Sequence, residues 1–216
     1  MSAYEAGRVE RKAIKRSRRP GPLTMFARGF LKHPVMVGSV IPSSRFLIEK
    51  MLAPVDWARA DVFVEYGPGV GTITRPILDR LKPDAKLVAI DTNPDFCDYL
   101  RHEFNDPRLI VVNRSATDLA AILDEYGCSG ADYVISGLPF STLPPGVGPA
   151  IVTATKRSLK AGGIFLVYQF SPKVVDFLRL EFDNIDRRFE ALNVPPAQLF
   201  YAHADSAEPI AESAVA

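Results

Sequence analysis

A short strand, a glycine-rich turn and a helix follow one another between residues 61 and 81, and this unit limits the chain to few folds. Residues 61–66 (DVFVEY) are rich in β-branched and aromatic side chains, Gly67-Pro68-Gly69-Val70-Gly71 comes next, and residues 72–81 carry a helical pattern. The alternation continues, with strands predicted at 86–90, 108–113, 132–136 and 164–170 and helices at 94–104, 117–126, 148–159 and 173–180. Parallel strands joined by helices need crossovers over the sheet. We therefore predict an α/β fold whose mostly parallel sheet is covered on both faces.

The last two predicted strands break this alternation. Residues 185–192 and 198–203 are separated by a short segment that contains Pro195 and Pro196, so no helix fits between them. They are predicted to form an antiparallel hairpin. At 216 residues the chain is long enough for one domain with its own core and too short for two of ordinary size. We divide it into an arm at 1–34, a domain at 35–203 and a flexible tail at 204–216.

Composition excludes several classes of protein. With 47% hydrophobic and 24% charged residues, the chain has the balance of a folded globular protein rather than a disordered or collagen-like one. No apolar stretch approaches the roughly 18 residues that a membrane-spanning helix needs, and no secretory signal is visible. The two cysteines, Cys97 and Cys128, have no metal-ligand spacing. These features predict a cytoplasmic protein with neither a metal site nor a disulfide framework.

The N-terminal arm is strongly basic, although the whole chain has a formal net charge of only +1. Residues 1–32 contain nine basic and two acidic side chains, so the remainder of the chain is mildly acidic. After Pro22, apolar residues recur on one face of a predicted amphipathic helix, with cations on the other face. Such a helix can lie in the headgroup layer of a membrane, where basic side chains meet anionic lipids. The candidate docking residues are Arg16, Arg19, Leu23, Phe26, Arg28, Phe30, Leu31 and Lys32.

The pattern leaves three partners open for this arm. We favour docking on an anionic membrane surface, which predicts a peripheral protein on the inner face of the cytoplasmic membrane. The apolar face can instead pack on the protein's own core, beside a solvated basic tail. A basic arm can also bind RNA.

The glycine-rich turn is the expected ligand site, because ligands of open parallel sheets bind at the carboxyl ends of the strands. Its glycines let a ligand lie directly on the backbone. A dinucleotide-binding turn would have its third glycine at position 72, where this chain has Thr72. Glu65, just before the turn, would repel a pyrophosphate and suits a cationic or amine-bearing ligand better.

Two further strand ends supply candidate contacts. The second predicted strand ends at Asp91, 20 residues after Gly71, where a carboxylate can accept hydrogen bonds from both hydroxyls of a ribose. Ser115 and Ala116 follow the third strand. A glycine turn is often only a turn, and an aspartate at a strand end is often a helix cap. Their order and spacing together nevertheless indicate one composite ligand site.

Three segments make the chain resemble the class I S-adenosylmethionine (SAM)-dependent methyltransferases. EYGPGVG is similar to the first motif of that family, VAIDTNP to the second and YVISGLPF to the fourth, and the resemblance runs from residue 61 to residue 203. It implies a Rossmann-like fold, with a seven-stranded sheet whose last strand is antiparallel, and SAM as the cofactor. The cofactor-binding residues that it implies are Glu65, Gly67, Gly69, Gly71, Asp91, Thr92, Asn93, Ser115, Ala116, Ser136, Gly137 and Leu138.

Two segments outside these motifs carry a closer resemblance. FLKHPVMVGSVIPSSRFLIEKML looks like the segment that precedes the core in bacterial phospholipid N-methyltransferases, and NVPPAQLFY is similar to their C-terminal hairpin. The resemblance implies stepwise methylation of phosphatidylethanolamine to phosphatidylcholine. It also implies that the N-terminal amphipathic helix docks on the membrane.

Two other functions remain open. The ribosomal RNA adenine dimethylases have a similar fourth motif, in which an asparagine holds the adenine amino group, whereas this chain has Gly137 at that position. That family also continues into a further helical domain, whereas this chain ends soon after its predicted hairpin. Nucleic acid is therefore a less favoured partner. The chain can alternatively be a non-catalytic module that binds SAM and an anionic membrane without turnover.

Methylation of a lipid amine needs a free nitrogen lone pair, and the sequence offers no obvious strong base. Ser136 and Tyr201 are candidates to accept or relay a proton, and Phe140 and Tyr201 to hold a methylated cation. These three residues form the predicted catalytic set. For the lipid phosphate, the candidates are Ser43, Ser44 and Arg45, in which Arg45 supplies the cation.

Overall fold

The computed structural model describes residues 45–191 and 196–205 of the chain. The strands, β1 to β7, are Val62–Tyr66, Lys86–Ile90, Leu109–Val112, Ala131–Ser136, Leu159–Gln169, Asn184–Glu190 and Ala197–His203. The α-helices, α1 to α6, are Arg45–Leu52, Thr74–Leu78, Pro94–Glu103, Leu119–Glu125, Val147–Ser158 and Val174–Leu178, and a 3-10 turn lies at Ala116–Asp118. The predicted amphipathic helix and the rest of the basic arm lie outside the described residues.

The seven strands form one sheet in the order β3-β2-β1-β4-β5-β7-β6. β1 pairs in parallel with β2 and β4, and β7 is antiparallel to both of its neighbours, β5 and β6. The strand order reverses between β1 and β4, which is where open α/β sheets form a ligand-binding crevice. The predicted α/β class, the seven-stranded sheet and the antiparallel last strand are confirmed.

Helices cover both faces of the sheet, so the central strands have no polar face. All five residues of β1 are buried, including Glu65. One face packs against α1 and α2 through side chains such as Leu47 and Ile77, and the other packs against α4 and α5 through Ile122 and Ile151. Complete burial of such a side chain contributes about 1.5–3 kcal/mol to stability. The two apolar layers hold the carboxyl ends of the strands at one rigid edge.

The fifth strand begins earlier than its pattern predicts. We expect a helix to residue 159 and a strand from 164, but α5 ends at Ser158 and β5 begins directly at Leu159. Leu159 pairs with Ala131, and the register then shifts before Ile164 pairs with Tyr133. Gly162, which has a φ of 75°, lies within this irregular stretch. Sequence periodicity does not predict the bulge, because the strand bends at residues that have no alternating pattern.

Candidate active site

Backbone hydrogen bonds bring the ends of four parallel strands together. The Gly67 N–H donates to the Ile90 carbonyl at 2.9 Å, and the Gly137 N–H donates to the Tyr66 carbonyl at 3.1 Å. The Asp91 N–H donates to the Val112 carbonyl at 3.1 Å. The turn after β1, the acid after β2 and the motif after β4 are therefore neighbours at one edge of the sheet, as the sequence predicts.

The glycine-rich turn has unfilled space beside its backbone at the centre and is closely packed at its end. Gly69 has a φ of 56°, and a Cβ added there would meet no atom within 4 Å. Gly71 has a φ of 80°, and a Cβ there would come within 2.6 Å of the Phe104 ring. Residues other than glycine rarely adopt such φ values. Gly69 thus leaves space above the main chain for a ligand, whereas Gly71 lets the turn pack on the helix that ends near Phe104.

Asp91 ties the glycine turn to the end of β2. Its carboxylate accepts hydrogen bonds from the Asn93 N–H at 2.8 Å and, more weakly, from the Gly69 N–H at 3.4 Å. Burial raises the pKa of Asp91 above its usual value, and backbone N–H groups, including those of Asn93 and Gly69, oppose that rise. An ionised carboxylate has about four lone-pair sites. Asp91 therefore keeps capacity to accept hydrogen bonds from a ligand.

Glu65 is a second acid at this edge and is only 2% exposed. The Thr74 hydroxyl donates to its Oε2 at 2.6 Å. Burial raises the pKa of Glu65 to about 7, the Thr74 hydrogen bond opposes the rise, and the negative charge of Asp91 adds to it. A cation that binds beside Glu65 would favour its ionised form. This acid is therefore suited to a positively charged ligand, and its proton is readily released at neutral pH.

The raised pKa of Glu65 predicts a pH-dependent stability in the ligand-free protein. The folded chain binds more protons than the unfolded chain between pH 4.5 and 7, so this contribution is complete below pH 4.5 and is lost as the pH rises through 7. We expect the Glu65 contribution to the free energy of unfolding to fall by about 3 kcal/mol across that window. Urea unfolding at several pH values measures it. Glu65→Gln should flatten the profile relative to Glu103→Gln, and an equally steep fall in Glu65→Gln would contradict the assignment.

The predicted adenosine contacts lie at the ends of β2 and β3. Asn93 caps α3, since its side chain accepts a hydrogen bond from the Asp95 N–H at 2.9 Å, and Thr92 beside it is exposed. The Ser115 hydroxyl caps the 3-10 turn by accepting from the Thr117 N–H at 3.2 Å, and Ala116 is buried. These residues have local structural roles, and their contact with adenosine stays a prediction.

The segment after β4 is tightly bonded to its neighbours. Ser136 is fully buried, and its hydroxyl accepts from the Leu138 N–H at 3.2 Å. The Leu138 carbonyl accepts from the Gln169 side-chain amide at 2.6 Å and from the Phe140 N–H at 3.0 Å. The Phe140 ring is buried, and a Cβ at Gly148 would lie 3.5 Å from it. Phe140 therefore packs against the start of α5.

The structure does not bring the three predicted catalytic residues together. Phe140 belongs to the apolar layer on one face of the sheet, and Tyr201 to the layer on the other. The Tyr201 hydroxyl donates to the Lys50 carbonyl at 2.7 Å, and burial raises its pKa to about 12. Arg45 is exposed at the start of α1, and Ser43 and Ser44 lie outside the described residues. Roles for these residues in catalysis or phosphate binding stay predictions.

Two polar residues at the site lie outside the sequence motifs and were not predicted. Thr74 hydrogen-bonds to Glu65, and Gln169 ends β5 as a buried amide that bonds to the Leu138 and Tyr168 carbonyls. A glutamine that closes an otherwise apolar strand, as in IFLVYQ, is the one signal that points to it. Its partner across the sheet depends on a register that the sequence does not show.

A cavity of about 570 Å³ lies at the opposite, amino end of the strands. Four of its charged groups form two ion pairs, since Lys82 pairs with Asp61, and Lys160 lies 2.9 Å from Asp132. Asp132 also accepts hydrogen bonds from the Val62 backbone N–H at 2.8 Å. These charged groups hold strands together, and the cavity is remote from the glycine turn.

Within residues 45–191 and 196–205, no helix is long and apolar enough to cross a membrane. The same residues contain no group of three or more His, Cys, Asp or Glu side chains that could hold a metal ion.

Comparison with known proteins identifies the family. No family model matches the chain. The ornithine lipid N-methyltransferase of Singulisphaera acidiphila is 35% identical over 179 residues, which cover 82% of this chain and 93% of that protein. The chain belongs to the family of this lipid N-methyltransferase. It is therefore a SAM-dependent methyltransferase, and the predicted cofactor is confirmed.

Other similarities of this methyltransferase are more limited. The ribosomal RNA small subunit methyltransferase A of Laribacter hongkongensis is 34% identical, but over only 46% of this chain and 36% of that protein. The precorrin-6y C5,15-methyltransferase structure from Geobacter metallireducens has a TM-score of 0.58 at 16% identity and covers 74% of this chain and 89% of its own. PigF with SAH has a TM-score of 0.54 at 19% identity, covering 74% of this chain and 55% of its own. These structures confirm the fold.

The residues at the strand ends fit SAM. The unfilled space beside Gly69 would accept the methionine part, Asp91 would bind the ribose, and Glu65 would lie near the positive charge. When bound, SAM supplies a methyl group on a positively charged sulfur. The protein's own contribution is to hold an acceptor in line with that methyl group and to keep water away.

Proposed function

We propose that this methyltransferase methylates the amine of a membrane lipid, converting phosphatidylethanolamine through its mono- and dimethylated forms to phosphatidylcholine. The observation that best supports a lipid as substrate is the 35% identity to a lipid N-methyltransferase across 93% of that protein's length. The segments before and after the core that resemble phospholipid N-methyltransferases favour phosphatidylethanolamine. Ornithine lipid is the second candidate, favoured by the substrate that the relative's name gives.

The geometry at residue 137 supports a lipid amine over an adenine base. Gly137 stands where the RNA adenine dimethylases have asparagine, and a Cβ there would lie 3.1 Å from the Tyr168 hydroxyl and 3.3 Å from its ring. Such contacts are tighter than ordinary van der Waals distances. An asparagine could therefore not be placed at 137 unless Tyr168 moved.

The chemistry that the site must perform is to provide a free amine. A primary alkyl amine has a pKa near that of lysine, about 10, so only about one molecule in a thousand is neutral at pH 7. Burial at the strand ends penalises the ammonium form, and a neighbouring cation does so as well. Desolvation in the cleft would therefore favour the neutral amine, whose proton leaves to the surrounding water.

The N-terminal arm would supply access to the lipid. Its cations and apolar face, at residues 1–32, favour an anionic membrane surface, with the enzyme peripheral on the inner face of the cytoplasmic membrane. Each cation near an anionic leaflet adds about 1 kcal/mol to binding. Catalysis would then take place at the bilayer surface rather than on a soluble substrate.

The proposal is tested with labelled SAM and vesicles of defined headgroup. We expect labelled lipid from vesicles that contain phosphatidylethanolamine and none from vesicles of phosphatidylcholine, whose nitrogen has no lone pair. If only vesicles that contain ornithine lipid become labelled, ornithine lipid is the substrate and phosphatidylethanolamine is not. Tight binding of SAM and of vesicles without labelled product in any of them would show a binding module and overturn the proposal.

A further inference from the structure

Three large apolar side chains are strongly exposed in the described part of the chain. They are Phe46 at 61%, Leu180 at 67% and Phe189 at 58%. Single exposed apolar residues are common on soluble proteins, so exposure alone identifies no binding surface. The position of each one relative to the sheet is therefore what matters.

Phe189 lies at the carboxyl edge of the sheet, the same edge as the glycine turn. It pairs with Gln198 of β7, and Gln198 pairs with Gln169, the last residue of β5. Neighbouring strands lie about 4.8 Å apart, so β6 is about 10 Å from β5. The exposed ring of Phe189 is therefore close to the strand ends where we expect the lipid amine to bind.

Phe46 lies near the same corner of the molecule, in the first turn of α1. Lys50, one turn later on the same side of the helix, donates to the Phe189 carbonyl at 2.8 Å. The chain then runs away from the carboxyl edge, because the Asp56 N–H donates to the hydroxyl of Tyr133, which lies farther down the sheet in β4. Phe46 therefore lies nearer to the carboxyl edge than Lys50 does.

Both exposed rings are next to exposed cations. Arg45 precedes Phe46, and Arg188 precedes Phe189, and we call these four residues the aromatic corner. The acid that follows Phe189 is paired with the Lys50 ammonium group at 3.1 Å. The predicted docking arm precedes Arg45 in the sequence and so joins the protein at this corner. Apolar side chains flanked by cations suit the interface of an anionic bilayer.

We propose that the aromatic corner is a second membrane-contact surface, at which both phenylalanine rings enter the interface of an anionic bilayer and both arginines meet lipid phosphates. The carboxyl edge of the sheet then faces the membrane. A lipid headgroup can reach the strand ends while its acyl chains stay in the bilayer. The inference rests on the proposed function, because it requires a substrate that is held in a membrane.

Leu180 provides the contrast, because it precedes the other end of the same edge strand. β6 begins at Asn184, which pairs with His203, and His203 pairs with Ile164 in the amino half of β5. At about 3.3 Å per residue, Asn184 is about 17 Å from Phe189 along the strand. An orientation that brings the aromatic corner to the bilayer therefore keeps Leu180 away from it.

Binding of the full chain to vesicles of phosphatidylglycerol and phosphatidylethanolamine, measured by flotation, tests the proposal. We expect Phe46→Ser and Phe189→Ser each to raise the lipid concentration for half-maximal binding about fivefold, because each variant removes an apolar ring from the interface. Leu180→Ser, the matched control, should raise it less than about twofold. The Kd for SAM should agree within about twofold among all of these chains, which shows that the fold is kept.

A tryptophan reporter separates direct contact with lipid from an indirect effect. Trp57 is the one tryptophan of the chain and stacks on the Phe63 ring, so Trp57→Phe keeps an aromatic ring there and removes the native signal. In that background we introduce Phe46→Trp, Phe189→Trp or Leu180→Trp. Vesicles with brominated acyl chains should quench the emission of the first two variants and not that of the third.

Unchanged vesicle binding in either phenylalanine-to-serine variant would overturn the proposal, and so would an equal loss in Leu180→Ser. Quenching no stronger at positions 46 and 189 than at 180 would do the same. A change of oligomeric state with unchanged vesicle binding would indicate an interface between copies of the chain instead. None of these measurements needs turnover, so they are independent of failure of the proposed function, in which the unmodified chain labels no lipid amine.

Discussion

Replacing Asp91 by alanine is expected to weaken SAM binding at least about 100-fold. The resemblance implies that this carboxylate binds the ribose, and the structure shows that it lies next to the glycine turn, where it accepts a long hydrogen bond of 3.4 Å from the Gly69 N–H. Each hydrogen bond to a charged group contributes about 1.5–3 kcal/mol, and a ribose has two hydroxyls to bind. Equilibrium dialysis with labelled SAM measures the change in Kd.

Asp91→Ala also removes hydrogen bonds within the protein, so its effect must be separated from a loss of folding. The carboxylate accepts from the Asn93 N–H at 2.8 Å, and Asp91→Asn keeps an oxygen that can do so. We expect both variants to bind SAM weakly and Asp91→Asn to keep nearly the original Tm. Asp84→Ala, an exposed acid just before the same strand, is the matched control. A folded Asp91→Asn protein with unchanged SAM affinity would exclude the ribose contact.

Gly71→Ala is expected to destabilise the protein by about 3 kcal/mol, because it combines overpacking with a left-handed backbone. The new Cβ would meet the Phe104 ring at 2.6 Å, and the residue has a φ of 80°. For a chain of this size, that loss lowers Tm by about 6–12 °C. Thermal unfolding followed by circular dichroism measures it.

Two other glycines give matched controls for the cost of the backbone alone. Gly127 has a φ of 66°, and its Cβ would meet no atom within 4 Å, so Gly127→Ala should lower Tm by only about 2–4 °C. Gly69→Ala should have a similarly small effect on Tm but should weaken SAM binding, since its Cβ would enter the unfilled space where we expect the cofactor to bind. Equal Tm values for Gly71→Ala and Gly127→Ala would contradict the packing described for Phe104.

The fold could be predicted because its signals are local. Short runs of neighbouring residues predict the glycine turn, the acid at 91 and the two last strands that no helix separates. The sheet contains those two strands as β6 and β7, and the turn and the acid follow β1 and β2. The site could be predicted only as far as its motifs reach. Glu65 belongs to a motif, but its raised pKa depends on burial, on Thr74 and on Asp91. Those are contacts that the spacing of residues does not contain.

Residues that act across strands were missed for the same reason. Gln169 reaches Leu138, and Tyr168 lies against Gly137, only because β4 and β5 pair in one register after an irregular start. A shift of one residue in this register would turn each of the two side chains to the face opposite its present one. Tyr201 was attractive in sequence as an aromatic hydroxyl in the last hairpin, yet its partner is the Lys50 carbonyl. This partner lies 151 residues away along the chain, so the sequence alone could not predict it.

The most direct test of the whole account is a competition between substrates. The purified full chain is incubated with methyl-labelled SAM, vesicles that contain phosphatidylethanolamine, and ribosomal RNA in the same tube, and the label is measured after separating the lipid and aqueous phases. The account predicts labelled lipid with methyl groups on nitrogen and unlabelled RNA. Label in the RNA, or in neither substrate, would contradict it.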